Sequence, residues 1–181
     1  MISESLAKAL SEQVNAEYYS AYLYHTMSAY AENIGLKGAA HWLFVQAWEE
    51  MTHGIHMYQY ILDRDAIPLL AAIDAPPESS SFKSLLDVFE AVFAHEQKVT
   101  ARINNIATLS MKENDHACYH FIMWYVNEQV EEESNAKGII DRLKLVGDNT
   151  GQLIAIDNEL SARTFVNPFP NDVKLSGAAS A

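Results

Sequence analysis

The sequence predicts an all-α protein, namely a four-helix bundle in which a long crossover joins the second and third helices and a short fifth helix follows the bundle. Only seven glycines and five prolines occur among 181 residues, and the prolines stand at positions 68, 76, 77, 168 and 170. Long stretches are therefore free of helix breakers. Along each of these stretches, apolar residues recur at alternating spacings of four and three, which is the period of a helix with one buried face.

The helices are expected at residues 3–33, 37–65, 81–110, 114–146 and 152–163. Gly35 follows the first helix and Gly147 ends the fourth, as is common at helix C-termini. The segment 66–80 contains three prolines and a run of serines, so we interpret it as a linker. Residues 1–163 are expected to form the bundle with its fifth helix, and residues 164–181 a C-terminal tail.

The length of the linker indicates the topology of the bundle. A second helix of ~29 residues would be ~44 Å long. Fifteen extended residues reach ~50 Å at most. The linker can thus run the whole length of the bundle, whereas the other connections are short turns. This pattern is typical of a bundle with one long crossover rather than of a simple up-and-down bundle.

Composition excludes several classes of partner. The net charge of -12 argues against a nucleic-acid-binding surface. No apolar run reaches the ~20 residues of a membrane-spanning helix, so no membrane partner is expected. The single cysteine, Cys118, allows no intrachain disulfide, and the first residues lack the pattern of a signal peptide. A cytoplasmic location is therefore expected.

Each of the four long apolar stripes contains one glutamate near its middle, at Glu17, Glu50, Glu96 and Glu132. Antiparallel packing would bring these four side chains to one level of the core. A single glutamate on an apolar stripe usually reaches water at the boundary of the core. Four glutamates at the same depth instead indicate a common function. Because buried unpaired carboxylates cost several kcal/mol each and the stripes contain no Lys or Arg, bound metal ions are the expected compensation.

The spacing of Glu50 and His53 supports a metal centre. Glu-x-x-His places an oxygen and an imidazole on one face of a helix. Carboxylates with an imidazole and without thiolates favour iron or manganese over zinc–sulfur chemistry.

Several strings make the chain resemble the ferritin family, and in particular its bacterial non-haem type, over residues 3–163. Two strings are especially specific, Glu-Glu-Met-Thr-His and Trp-Tyr-Val-Asn-Glu-Gln-Val-Glu-Glu-Glu. The residues that carry the resemblance lie at 49–53, 124–133, 15–17 together with Tyr24, and 156–160.

The resemblance implies two iron positions that share one carboxylate. The first would use Glu17, Glu50 and His53. The second would use Glu50, Glu96 and Glu132, so that Glu50 bridges the two ions.

The resemblance also assigns further residues around the two irons. Gln129 is expected beside the second iron, and Tyr24 near the centre, where it would donate an electron or a hydrogen bond. A third iron position is implied at Glu49, Glu128 and Glu131. The alternative interpretation of this last group is a solvated acidic patch, because residues 131–133 form a run of glutamates.

The activity implied by the resemblance is iron storage with ferroxidase activity. Fe(II) would be oxidised by O2 or hydrogen peroxide and stored as mineral in the cavity of a homo-oligomeric cage, expected to have 24 subunits. No haem is expected, although Met51 stands at the position that ligates haem in the related bacterioferritins; we assign it to interface packing.

Two alternatives remain open from the sequence. The first is a di-iron oxidase or peroxidase of the rubrerythrin kind, but Asn135 stands where a second Glu-x-x-His would need histidine, and no Cys-x-x-Cys pair occurs. The second is a metal-free helical scaffold, which would leave the four mid-helix glutamates without compensation.

Overall fold

The computed structural model describes residues 1–170 and residue 173, and this part of the chain contains five α-helices. The four long helices pack with α1 against α2 and α3 against α4, and the short α5 lies against α2. The predicted all-α bundle with a short fifth helix is therefore confirmed. The helices span α1 Glu4–Asn33, α2 Lys37–Asp63, α3 Leu85–Lys112, α4 His116–Val146 and α5 Thr150–Leu160, and a single 3-10 turn covers Ser79–Ser81.

The third, fourth and fifth helices begin away from their predicted positions, and the capping residues of the third and fifth explain their shifts. The third helix starts after Ser84, whose hydroxyl accepts a hydrogen bond from the amide of Asp87 at 3.0 Å. Ser81, expected to begin the third helix, instead forms a separate 3-10 turn with Ser79 and Ser80, which were assigned to the linker. The fifth helix starts two residues earlier than predicted because Asn149 caps it through the amide of Gln152 at 3.1 Å.

The start of α2 is capped by a residue from α5. Leu36 precedes α2 and provides no side-chain cap. Instead, Oδ1 of Asp157 accepts a hydrogen bond from the amide of Ala39 at 2.7 Å. Gly38 makes this approach possible, since a Cβ at that position would lie 1.7 Å from the carbonyl oxygen of Asp157. The short helix is thus fixed to the bundle by a specific contact.

The crossover between α2 and α3 runs along α1. The amide of Leu69 donates to the hydroxyl of Ser11 at 3.0 Å. Asn15 forms two further bonds, accepting from the amide of Ala71 at 3.0 Å and donating to the carbonyl of Leu69 at 3.1 Å. The crossover is therefore held to the bundle by side chains of the first helix.

The hydrophobic core consists of two separate clusters, one towards each end of the bundle. On α1, the first cluster begins at Ala21 and the second ends at Val14, with Glu17 between them. The other three long helices show the same interruption. Their mid-helix glutamates are Glu50, which lies between Ala47 and Met57, Glu96, which lies between Val92 and Val99, and Glu132, which lies between Tyr125 and Ala136.

The chain after α5 returns to the bundle. Phe169 and Val173 are buried and belong to the second cluster. The ring of Phe169 stacks on His56, with centroids 3.6 Å apart, and lies 4.4 Å from the ring of Trp124. The remainder of the expected C-terminal tail, at residues 171, 172 and 174–181, lies outside the described residues.

Over the described ranges, 1–170 and 173, none of the helices combines the length and apolar character needed to span a membrane.

Candidate metal centre

The four mid-helix glutamates form one buried polar layer between the two apolar clusters. Glu17, Glu50, Glu96 and Glu132 come from four different helices, and each is at most 4% exposed. The helical period explains the burial, since each glutamate occupies a position on the apolar stripe of its own helix.

Glu17, Glu50 and His53 converge most closely. One potential ligand atom from each lies within 4.8 Å of the others. Across residues 1–170 and 173, no other group of three acidic, histidine or cysteine side chains meets this condition. Nδ1 of His53 lies 3.7 Å from Oε2 of Glu50, too far for a hydrogen bond but close enough for an ion pair. The predicted residues of the first iron position are therefore brought together.

Glu96 and Glu132 lie in the same layer but outside this tightest group. Glu96 accepts a hydrogen bond from the hydroxyl of Tyr24, which is fully buried. Glu132 accepts one from Nε2 of Gln46 at 2.8 Å, and the same nitrogen lies 3.0 Å from Oε1 of Glu50. Glu50 and Glu132 therefore share a hydrogen-bond donor.

Two glutamines support the layer and were missed in the sequence. Gln13 and Gln46 are both fully buried, and each donates to the glutamate four residues later on its own helix, Glu17 at 2.9 Å and Glu50 at 3.0 Å. The repeated Gln-x-x-x-Glu spacing is the signal that could have identified them.

The orientation of the Gln13 amide is fixed from the other side by Arg102. Nε of Arg102 donates to Oε1 of Gln13 at 3.0 Å. Because arginine has only donors, the amide oxygen must face it and the amide nitrogen must face Glu17.

Two carboxylate oxygens in the layer have no hydrogen-bond partner within the described chain, namely Oε2 of Glu17 and Oε2 of Glu96. A buried acceptor without a partner costs free energy. Unpartnered carboxylate oxygens beside an imidazole are the donor set that a divalent transition metal takes, so these residues fit a metal ion.

Charge within the layer is unevenly distributed. Burial alone would raise the pKa of Glu50, but the neighbouring His53 outweighs it and the pKa falls to about 2. Burial likewise opposes the charged form of His53, and Glu50 outweighs it, raising the pKa of His53 to about 10. Without metal, an imidazolium therefore balances the charge of one carboxylate.

The pKa values of the other three glutamates shift in the opposite direction. Burial, followed by the negative charge of Glu50, raises the pKa of Glu132 to about 8. The same two causes, in the same order, raise the pKa of Glu17 and of Glu96 well above the usual value. The raised pKa values favour the protonated form of these carboxyl groups when no metal is bound, and a bound cation would displace the protons.

Gln129 and Tyr24 both lie in or beside the layer. Gln129 is buried one turn before Glu132, and its Oε1 accepts a hydrogen bond from the hydroxyl of Thr100 at 2.9 Å. Burial, and then the charge of Glu96, raises the pKa of Tyr24 well above its usual value, so its hydroxyl is protonated.

The three glutamates of the implied third position are less buried. Glu49 and Glu128 are half-buried, whereas Glu131 is exposed. Glu49 forms an ion pair with Arg163, a residue that sequence reasoning did not single out. Burial raises the pKa of both Glu49 and Glu128.

The fold and this layer together define a four-helix-bundle protein whose core contains a carboxylate and histidine group that could bind metal. The family described as "Ferritin-like domain" matches residues 7–146. The chain belongs to the ferritin family.

Individual relatives cover nearly the whole chain. This chain is 39% identical over 165 residues to the bacterial non-heme ferritin of Staphylococcus haemolyticus, and the match covers 91% of this chain and 98% of the relative. This chain is also 37% identical over 160 residues to a probable bacterial non-heme ferritin-like protein of Haemophilus influenzae, and the match covers 88% of this chain and 96% of the relative. Among solved structures, an open pore ferritin from the archaeon Archaeoglobus fulgidus matches with a TM-score of 0.88 and 44% identity, covering 91% of this chain and all of that one.

Proposed function

We propose that this chain is a subunit of an iron-storing cage and oxidises Fe(II) at the buried layer. The observation that carries the proposal is the convergence of Glu17, Glu50 and His53 inside the bundle of a ferritin-family chain. Glu96 and Glu132 complete a set of five ligands for two iron ions, with Glu50 between them.

The reaction uses iron as substrate. Two Fe(II) ions give up two electrons, and O2 takes them together with two protons to form hydrogen peroxide; peroxide can serve as the oxidant in turn. A paired site suits this chemistry because both electrons leave from neighbouring ions. The product, Fe(III), then leaves for the storage cavity.

The residues of the chain hold the substrate and manage protons. When metal binds, Glu17, Glu96 and Glu132 lose their protons and become carboxylate ligands. The released protons offset part of the positive charge that the metal ions bring into the core. Gln13 and Gln46 orient the carboxylates. Tyr24 donates a hydrogen bond to Glu96, which supports a proposed role of its phenol as an electron donor during oxygen reduction.

We also propose a third iron position at Glu49, Glu128 and Glu131, on the route from the paired site to the cavity. Support comes from the half-burial of Glu49 and Glu128 and from the charges that act between the glutamates, since Glu128 raises the pKa of Glu49 and Glu131 raises that of Glu128. Replacing Glu49 and Glu131 with alanine should change the number of Fe(II) ions oxidised per O2. If the number of Fe(II) ions oxidised per O2 does not change, these three glutamates are only a solvated acidic patch.

Assembly into a 24-subunit shell is supported by apolar side chains that a single subunit leaves exposed. Tyr22, Phe44 and Trp48 are exposed on α1 and α2. On α5, Ile156 and Leu160 are buried against the bundle while Ile154 is half-exposed. Such surfaces are typical of subunit interfaces. A cytoplasmic location remains a prediction.

The direct test is aerobic loading with Fe(II), followed by native mass measurement and iron counting. A storage cage should retain very many ions per subunit, a di-iron oxidase about two, and a metal-free scaffold none. A monodisperse monomer that retains no iron would contradict the proposal.

Variants of the paired site sharpen this test. Glu50→Ala should slow Fe(II) oxidation by at least about a hundredfold, because even residues that only orient ligands contribute ten- to a hundredfold. His53→Ala should weaken the binding of mainly one of the two ions. Glu12→Ala, at an exposed carboxylate on α1, is the matched control and should oxidise iron normally. Rapid oxidation that persists in Glu50→Ala would remove the site from the mechanism.

A further inference from the structure

Arg163, just beyond α5, places a permanent positive charge at Glu49. One guanidinium nitrogen of Arg163 pairs with Oε2 of Glu49, and both side chains are less than a fifth exposed. The guanidinium also lies over the ring of Trp42, with its central carbon 4.2 Å from the ring centroid. The backbone carbonyl of Arg163 is held by Nε2 of His41 at 2.7 Å. The ion pair and the ring contact hold the guanidinium, and the bond to His41 holds the backbone of the same residue.

The charge of Arg163 reaches more than one carboxylate. Burial raises the pKa of Glu49, Glu128 and Glu132, and in all three the positive charge of Arg163 acts in the opposite direction. Two of these residues belong to the proposed third iron position, and Glu132 belongs to the paired site beside it. The guanidinium therefore compensates two of the three carboxylates that an ion at the third position would compensate.

A metal ion and this guanidinium would compete for Glu49. Like charges in a partly buried site repel strongly because solvent screens them poorly. A metal ion at Glu49 has to displace the side chain of Arg163 from its pair.

We propose that Arg163 is a built-in competitor of the third metal position, which lowers the affinity of that position so that an ion stays there only in transit. The inference rests on the proposed third position and concerns its regulation. Binding there releases Arg163, and the side chain returns to Glu49 when the ion leaves.

The test measures binding of Zn(II), which is not oxidised, to the full-length protein. Calorimetric titration would give the affinities, and anomalous diffraction from Zn-soaked crystals would locate the ions. Arg163→Gln removes the charge and retains a planar amide. Arg142→Gln is the matched control, because Arg142 pairs with Glu159 in the same surface cleft without contacting Glu49. Arg163→Lys keeps a positive charge.

Arg163→Gln should bind the third Zn(II) at least about tenfold more tightly than the unmodified protein, which corresponds to removal of one nearby like charge. Affinities at the paired site should change much less. Arg142→Gln should match the unmodified protein, and Arg163→Lys should lie nearer to it than to Arg163→Gln. In Zn-soaked crystals, Arg163 should leave Glu49 wherever the third ion is bound.

Two failures are distinguishable. A third ion bound at Glu49 with equal affinity in the unmodified protein and in Arg163→Gln would overturn the role of Arg163 and leave the third position intact. No third ion in either protein, or one that persists when Glu49→Gln is added to Arg163→Gln, would overturn both the position and its competitor.

Discussion

Nε2 of Gln46 lies 2.8 Å from Oε1 of Glu132, so a side chain of α2 holds a carboxylate of α4. The same nitrogen lies 3.0 Å from Oε1 of Glu50. Gln46 therefore joins the proposed bridging carboxylate to a ligand of the second ion, and it does so without needing to bind metal itself.

Replacing Gln46 with leucine should weaken the proposed second metal position more than the first, because both carboxylates that it holds belong to the second position and only Glu50 belongs to the first. Leucine has a similar size but cannot orient Glu132, and loss of such orienting bonds costs about ten- to a hundredfold in metal affinity. Titration with Zn(II), followed by native mass spectrometry, resolves one- and two-ion forms. Gln59→Leu, at an exposed glutamine on the same helix, is the control. Normal binding of both ions by Gln46→Leu would show that the glutamine has no orienting role.

Replacing Tyr24 with phenylalanine should separate binding from oxidation. The variant loses only the hydroxyl that donates to Glu96, so both metal ions should still bind. Oxidation should become slower, or its intermediates should change, if the phenol supplies an electron. Stopped-flow spectroscopy under air provides the measurement, and Tyr22→Phe, at an exposed tyrosine of the same helix, provides the control. Identical traces for both variants would make Tyr24 a packing residue.

The metal-free protein should lose stability as the pH rises from about 5 to about 8. In this range the folded state keeps a proton on Glu132, whose pKa is raised to about 8, whereas the unfolded chain has released it. The folded state then binds more protons, so its stability falls with rising pH, by at most about 1.4 kcal/mol per pH unit for each such group.

The raised pKa values of Glu17 and Glu96 act in the same direction. So does that of His53, raised to about 10, once the pH exceeds the usual value for histidine. Thermal unfolding of the metal-free protein across this pH range tests the slope. Saturation with Zn(II) should abolish the decline, because the bound carboxylates no longer hold protons. A flat curve without metal would show that the layer is already ionised.

Replacing Phe169 with alanine should destabilise the protein by about 3 kcal/mol, the usual cost of removing a buried aromatic ring. Its ring packs on His56 and Trp124 and contacts His53, so the histidine ligand should also become more accessible. Denaturant unfolding measures the first effect, and hydrogen exchange at α2 measures the second. Val166→Ala, at an exposed position in the same segment, should cost less than about 0.5 kcal/mol. Equal effects of both variants would mean that residue 169 is not packed in this way.

The buried glutamates of the layer could be predicted from the sequence because each belongs to a local pattern. Glu17, Glu50, Glu96 and Glu132 each interrupt an apolar stripe of known period, and antiparallel packing then aligns them. The helix ends were predicted less well, since the caps at Ser84 and Asn149 compete with neighbouring residues of similar type.

Contacts between distant segments were not predictable in this way. Arg163 meets Glu49 across 114 positions of the sequence, and Phe169 reaches His56 from beyond the fifth helix. No periodic pattern records such pairs. Gln13 and Gln46 are intermediate cases, because their spacing to the ligands was visible but glutamine alone does not indicate a metal centre.

The polar layer divides the interior of the bundle into two apolar clusters, and this division bears on how the chain moves. Without metal, the halves containing Leu10 and Leu143 are joined mainly by the continuous helices and by a few hydrogen bonds in the layer. An ion held by carboxylates from several helices cross-links those helices at the plane where the halves meet. Local opening in one half should therefore be largely independent of the other until substrate binds, after which the two halves should unfold as a single cooperative unit.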